Sequence, residues 1–146
     1  MNIRRAGIED LGAAAEMFNL YRIFQKQQSD KEGAEDYLKE RLEKEESVIF
    51  LAYDEENRVE GIAQLYPLFS SVSMKRIWLL NDLYIKEEAR NKGYGKKLIE
   101  EVIRFAKDTG AGGVSLETCD DNYGAQRLYE GIGFKKETNY FYHLSL

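Results

Sequence analysis

The run from Trp78 to Ala106 constrains this chain more than any other stretch. Trp78-Leu79-Leu80-Asn81-Asp82-Leu83-Tyr84-Ile85 is a mostly apolar segment of strand length. Arg90-Asn91-Lys92-Gly93-Tyr94-Gly95 is a short polar loop, and the following Leu98, Ile99, Val102, Ile103, Phe105 and Ala106 recur at helical spacing. Strand, loop and helix in that order place free backbone N–H groups and the positive end of a helix dipole at the junction. Glycines there let an anion approach the backbone closely. A phosphate compound is the first ligand to consider.

Two familiar phosphate loops are tested directly by the spacing. A P-loop carries Lys and then Ser or Thr after its last glycine, whereas Gly95 is followed by Lys96 and Lys97. A dinucleotide fingerprint has a third glycine three residues after the second, and that position is Leu98. Neither pattern fits.

The rest of the chain reads as one domain over residues 1–146, large enough for a real core. Ile3 to Ala6 suits a first strand, Asp10 can cap a helix reaching about Gln27, and a second helix is predicted over Lys31–Lys44. Strands follow over Ser47–Tyr53 and Val59–Tyr66, joined by the polar Asp54-Glu55-Glu56-Asn57. Pro67 is expected to end or distort the second of these, leaving Phe69–Ser73 as a loop before a strand from Arg76 to Ile85.

After the helix that follows Gly95, with Glu100 and Arg104 as a possible surface pair, Gly110, Gly112 and Gly113 mark a stop. Val114–Thr118 alternates as a strand does, Asn122 can cap a short helix ended by Gly131 and Gly133, and Phe134–Glu137 with Tyr140–Leu146 read as a closing antiparallel pair. The middle strand–helix–strand should be parallel, because only parallel neighbours need a crossover helix. The expectation is a mixed α/β fold, a sheet flanked by helices.

Composition narrows the partners. A net charge of −5 disfavours a binder of nucleic acid, and the tyrosines are scattered along the chain rather than gathered into a stacking platform. Lys86, Arg90, Lys92, Lys96 and Lys97 nevertheless cluster around the proposed anion loop. No apolar run approaches the roughly 20 residues of a membrane span, and the N-terminus lacks a secretory pattern. Lone Cys119 suits a reducing cytoplasm and reads as a small, partly buried residue; His143 is expected to pack in the terminal strand.

The pattern that does fit is Arg-x-x-Gly-x-Gly entering a helix from a strand. Here the chain resembles the GCN5-related N-acetyltransferases, whose pyrophosphate loop has this form. Asn122-Tyr123-Gly124-Ala125-Gln126-Arg127-Leu128-Tyr129-Glu130-Gly131-Ile132-Gly133-Phe134 is similar to that family's second cofactor segment. The resemblance covers most of the chain, least securely residues 20–45 and 67–75.

It implies a mostly antiparallel mixed sheet with a central parallel strand pair that splays. It implies acetyl-CoA as donor, with its pantetheine arm along Leu83, Tyr84 and Ile85 and its diphosphate on the amides of Arg90, Asn91, Lys92, Gly93, Tyr94, Gly95 and Lys96. Arg90 either shapes that loop or meets phosphate. Asn122 contacts the pantetheine, caps the last helix, or does both. Tyr129 falls at the position of the general acid that protonates the departing thiolate, or else packs with Ala125, Leu128 and Ile132. The chemistry implied is direct attack by an amine in a ternary complex, with no metal or covalent enzyme intermediate required. A backbone N–H near Leu83 could stabilise the oxyanion.

The base is open between Asp82 and Glu117, with Asp82 preferred because it precedes the cofactor-pairing residues; either carboxylate could instead merely attract a cationic amine. By the same resemblance the early helices wall the acceptor pocket, making Tyr21, Phe24, Gln25, Asp30, Tyr37, Tyr66 and Trp78 candidates. Aromatic and acidic side chains there suit a polyamine, an amino acid or a lysine-like compound. A protein or peptide acceptor and a non-catalytic acyl-CoA sensor stay open as alternatives. Relatives often dimerise, and Tyr140–Leu146 could supply an edge for a homodimer.

Overall fold

The computed structural model describes residues 1–146. Its elements are β1 (Asn2–Arg5), α1 (Leu11–Phe24), α2 (Lys31–Glu43), β2 (Val48–Tyr53), β3 (Val59–Ser70), β4 (Lys75–Ile85), α3 (Tyr94–Asp108), β5 (Val114–Leu116) and α4 (Tyr123–Ile132). They build one five-stranded sheet in the order β1-β2-β3-β4-β5, antiparallel except for the parallel β4–β5 pair. The mixed α/β class and the parallel crossover through α3 stand as the sequence implies.

Helices cover both faces. On one, Leu98, Ile99, Val102 and Ala106 of α3 pack on Phe50, Ala63, Leu65, Trp78 and Leu80. On the other, Ala14, Ala15 and Met17 of α1 and Leu38 of α2 pack on Ile49, Leu51 and Ile62. The strong apolar stripe of α3 makes it the anchor, since a helix buries its stripe against whatever apolar face the sheet offers.

Pro67 does not end its strand. The β3–β4 ladder continues to Ser70↔Lys75, with Pro67 opposite Trp78. Trp78 N–H points the other way, to the Gly113 carbonyl at 3.0 Å, so Pro67 faces Trp78 as a non-hydrogen-bonded pair. The missing Pro N–H therefore lies on the β2 side, where β2 has already ended at Val48↔Leu65. An edge position tolerates proline because no ladder bond is lost there.

A bulge interrupts the same ladder: Gln64 pairs with Asp82 and Leu65 with Leu80, so Asn81 is extra. Trp78 and Leu80 lie in the α3-side core, yet beyond the bulge it is Leu83 and Ile85 that pack there, while Tyr84 turns to the α1 side. Asp82 thereby shares the α1 face with Tyr84.

The closing strand pair expected at Phe134–Glu137 and Tyr140–Leu146 does not form. Residues 135–146 have no strand and every one is exposed, so the sheet ends at β5. Alternation of apolar residues encodes strand propensity, but a strand exists only where a second backbone offers a ladder. His143 accordingly packs in no strand and meets only the Ser145 hydroxyl at 3.2 Å. Cys119 is exposed rather than partly buried. The strand read over Val114–Thr118 stops at Leu116. Arg104 pairs with Glu101 at 2.7 Å, one residue away from the expected Glu100. Gly131 is still helical, and Gly133, at φ 125°, ends α4.

Candidate active site

The site begins where β4 and β5 part. Their parallel ladder runs Trp78↔Val114, Leu79↔Ser115 and Leu80↔Leu116, and then stops. Asp82 to Ile85 continue to pair with β3 on one side but have no strand on the other. Leu83, Tyr84 and Ile85 thus border an opening in the sheet. Unpaired strand backbone is what an extended amide-bearing chain can hydrogen-bond to.

At the end of that opening lies the glycine loop. Asn91 and Gly93 take positive φ values of 62° and 90°, and Gly93 is the N-cap residue of α3. With the chain turned this way, the backbone amides from Asn91 through Lys96 donate to no backbone carbonyl; the first helical bond is Lys97 N–H to Gly93 O at 3.1 Å. That run of donors sits on the positive end of a 15-residue helix. Lys86, Arg90, Lys92, Lys96 and Lys97 stand nearby in sequence, and none is engaged in a salt bridge. The combination can accept a diphosphate.

Arg90 has a definite structural task. Its Nε donates to the Ile85 carbonyl at 3.1 Å, and its guanidinium lies 5.2 Å from the Phe24 ring centre and 5.6 Å from that of Tyr84. It closes the loop back onto the end of β4 and ties both to α1. Phe24 is therefore part of the loop's support, packed on Tyr84 at 5.8 Å.

On the far side of the opening, Asn122 caps α4 by accepting from Ala125 N–H at 3.2 Å. One turn later, Leu128 Cδ2 lies 3.5 Å from where a Cβ on Gly95 would be, so α4 abuts the start of α3. Tyr129 is half-buried at the margin of the α3-side core, 6.0 Å from the Phe134 ring. Burial raises its phenol pKa, so the group holds its proton at neutral pH.

Opposite this, on the α1 face, is a buried polar cluster. Asp82 is 2% exposed; its carboxylate accepts from Gln64 Nε2 at 2.5 Å and from Asn81 Nδ2 at 2.9 Å. Burial raises its pKa, and the hydrogen bonds from Gln64, Asn81 and Tyr21 pull it back only in part. Gln64 is fully buried and its Oε1 has no partner. Tyr21 reaches the Asn81 carbonyl at 3.5 Å, and its pKa is pushed up to about 12, first by burial and then by Asp82. Tyr129 and Cys119 act on Tyr21 in the same direction. Tyr21 is thus within electrostatic reach of both Asp82 and Tyr129. Tyr66 shares a 2.7 Å hydroxyl contact with Tyr37 and also feels Asp82.

Not every sequence candidate joins this group. Trp78 belongs to the other face, where it is buried and donates from Nε1 to Thr109 Oγ1 at 2.9 Å. The Asp30 carboxylate caps α2, accepting from Gly33 N–H at 2.9 Å. Glu117 is exposed, just past the end of β5. Gln64 and Asn81 were missed. A glutamine inside the apolar Ile62-Ala63-Gln64-Leu65 was the available signal, since a buried polar side chain needs a reason.

A parallel strand pair that parts beside a glycine loop opening a helix is a fold shared with a solved probable acetyltransferase. A sequence profile of the Acetyltransferase (GNAT) family matches residues 14–134, and the chain belongs to that family. It is 46% identical to the uncharacterized N-acetyltransferase YhfO of Bacillus subtilis over 98% of this chain and 95% of that one. The D-amino-acid N-acetyltransferase HPA3 of Saccharomyces cerevisiae is 36% identical over 60% of this chain and 55% of its own length. A crystal structure of a probable acetyltransferase, 42% identical, superposes with a TM-score of 0.93 over 99% of both chains. The chain is an N-acetyltransferase.

Proposed function

We propose that this enzyme transfers the acetyl group of acetyl-CoA to the amine of a small cationic acceptor such as a polyamine, an amino acid or a lysine-like compound. The observation that carries this reading is the pairing of two sites across one opening. Amides Asn91–Lys96 wait for a diphosphate on one side, and the buried Asp82–Gln64–Tyr21 cluster waits for an ammonium on the other.

In this reading the donor's diphosphate lies on the loop and its pantetheine pairs with the free edge of Leu83–Ile85. The acceptor arrives as an ammonium, drawn toward the Asp82 carboxylate. Asp82 takes one proton, which its raised pKa favours. The freed nitrogen lone pair attacks the thioester carbonyl carbon, an amide N–H near Leu83 steadies the oxyanion, and the C–S bond breaks. Tyr129 gives its proton to the departing thiolate, whose pKa of about 8.5 lies well below that of a buried phenol, and the phenol is restored by the second proton that the nitrogen sheds as the amide forms. The relative named for D-amino-acid acetylation supports a small-molecule amine. Acetyl-CoA as donor, together with an exposed free cysteine, fits a cytoplasmic setting.

The test is thiol release from acetyl-CoA across a panel of polyamines, amino acids and lysine-containing peptides. Turnover confined to small cationic amines supports the proposal. Turnover confined to peptides replaces its acceptor, and cofactor binding with no acceptor-dependent turnover overturns it.

A further inference from the structure

Gln64 and Asp82, opposite each other on the α1 face, stand at the head of a regular stripe. Down the same face the β3–β4 register pairs Tyr66 with Leu79 and then Leu68 with Ile77. The intervening Leu65, Trp78 and Leu80 point into the α3-side core, so alternation leaves these four on the other face. Yet the four belong to neither core. Tyr66, Leu79 and Ile77 are half-buried, and Leu68 is 40% exposed. β2 has already ended at Val48↔Leu65, so no strand flanks β3 beside them. An apolar stripe that starts at a carboxylate and takes no part in either core fits a molecule with a charged head and an apolar body.

We infer that the acceptor carries a single ammonium and one apolar arm, aromatic or aliphatic, and that this arm lies on the Tyr66–Leu79 and Leu68–Ile77 pairs. The inference rests on the proposed reading in which Asp82 receives the acceptor's ammonium. Along the α1 face from Asp82, one direction is already filled. Toward the end of β4, Tyr84 is met by Tyr21 at 6.5 Å, by Phe24 at 5.8 Å and by the Arg90 guanidinium at 5.6 Å. The other direction is the stripe. Same-face residues recur every second position, so its two pairs lie about 7 and 13 Å from the level of Gln64. A hexyl or phenylethyl arm spans the distance to the first pair. The Tyr66 ring there is held in place by the 2.7 Å contact between its hydroxyl and that of Tyr37.

Charge argues against a second ammonium. The stripe itself carries no carboxylate. Arg41, whose guanidinium lies 4.7 Å from the Tyr37 ring centre, already holds Glu40 and Glu46. The pair beyond Leu68–Ile77 is Ser70–Lys75, which adds another cation. Glu117 follows Leu116, the residue level with Leu80, and so lies at the Asp82 end rather than along the stripe. A diamine would strip water from its distal ammonium with no partner to receive it, whereas a methyl group in the same place gains from burial. Polyamines are thereby removed from the acceptor classes, and amines with an apolar side are selected.

The experiment measures kcat/KM by thiol release from saturating acetyl-CoA, with propylamine through hexylamine, 2-phenylethylamine and 1,5-diaminopentane as acceptors. Hexylamine and 1,5-diaminopentane have equal length and differ only in a terminal methyl against an ammonium. The expected result is a rise of about 4-fold per added methylene. Hexylamine and 2-phenylethylamine should each exceed the diamine by at least ~10²-fold. Leu79→Asp, of similar size, puts a carboxylate on the first pair and should cut the hexylamine-to-diamine ratio at least ~10-fold. That ratio does not depend on how much of the variant folds. A flat monoamine series, a diamine equal to hexylamine or better, or a ratio untouched by Leu79→Asp overturns this inference and leaves transfer to a small amine standing. Turnover of none of these amines overturns it as well, and the small-amine reading falls with it only if the amino acids of the wider panel also fail. Should the variant not fold at all, the wild-type series decides alone.

Discussion

Across the β3–β4 ladder, Gln64 Nε2 donates to the Asp82 carboxylate at 2.5 Å, and both side chains are buried. The bond stabilises the charged form of an acid that burial pushes toward the neutral one. Gln64→Leu removes that donor, so the Asp82 pKa should climb further. The acid-side limb of the kcat/KM profile is then expected to move to higher pH than in wild type. An unmoved limb would show that Asp82 is not the group being titrated.

Asp82→Asn removes the proposed base while nearly preserving shape. Acetylation at neutral pH should fall by about 10²-fold or more, with acetyl-CoA affinity unchanged. A loss of cofactor binding, measured by calorimetry, would relocate Asp82 to the donor side.

The same substitution has a signed effect on stability. A carboxyl whose folded pKa is raised contributes stability below the ordinary carboxylate range, and that contribution is lost as pH rises through the raised value. Ionised Asp82 therefore costs stability at neutral pH. Asp82→Asn should raise Tm relative to wild type at pH 7.5, and the gain should shrink or reverse at pH 4. Melting curves at the two pH values check the sign.

Tyr129→Phe keeps the ring against Phe134 and removes only the hydroxyl. We expect kcat to drop by ~10²–10⁴-fold with little change in acetyl-CoA affinity. Full turnover would leave Tyr129 a packing residue.

Two glycines should respond in opposite ways. Gly93 sits at φ 90°, which an L-residue adopts only with strain, so Gly93→Ala should weaken acetyl-CoA binding by distorting the amide cradle. Gly131 lies inside α4 with nothing within 4 Å of an added Cβ, so Gly131→Ala should stabilise by about 0.5–1 kcal/mol. Binding isotherms for the first and thermal melts for the second measure both.

What could be read from the sequence had local causes. The α3 stripe, the glycine loop and the Asn122 cap are each written in adjacent residues, and each stands in the structure. What escaped depends on distant chain. Pro67 is tolerated because β2 ends beside it, which no residue near Pro67 records. The Gln64–Asp82 contact needs the β3–β4 register, and that is set by a bulge without its own sequence signature. Residues 140–146 carry the pattern of a strand but cannot name the backbone that would pair with it.

That one extra residue at Asn81 also fixes how far β4 can be edited. It works as a phase shift: upstream, even-numbered side chains serve α3, and downstream they serve α1. Deleting a single residue there would rotate Asp82 out of the buried polar cluster or drive Leu83 and Ile85 out of the core. Removing two in register would preserve the facing but shorten the free edge of β4 beyond the end of β5. The strand thus tolerates change in side-chain identity far more readily than change in length.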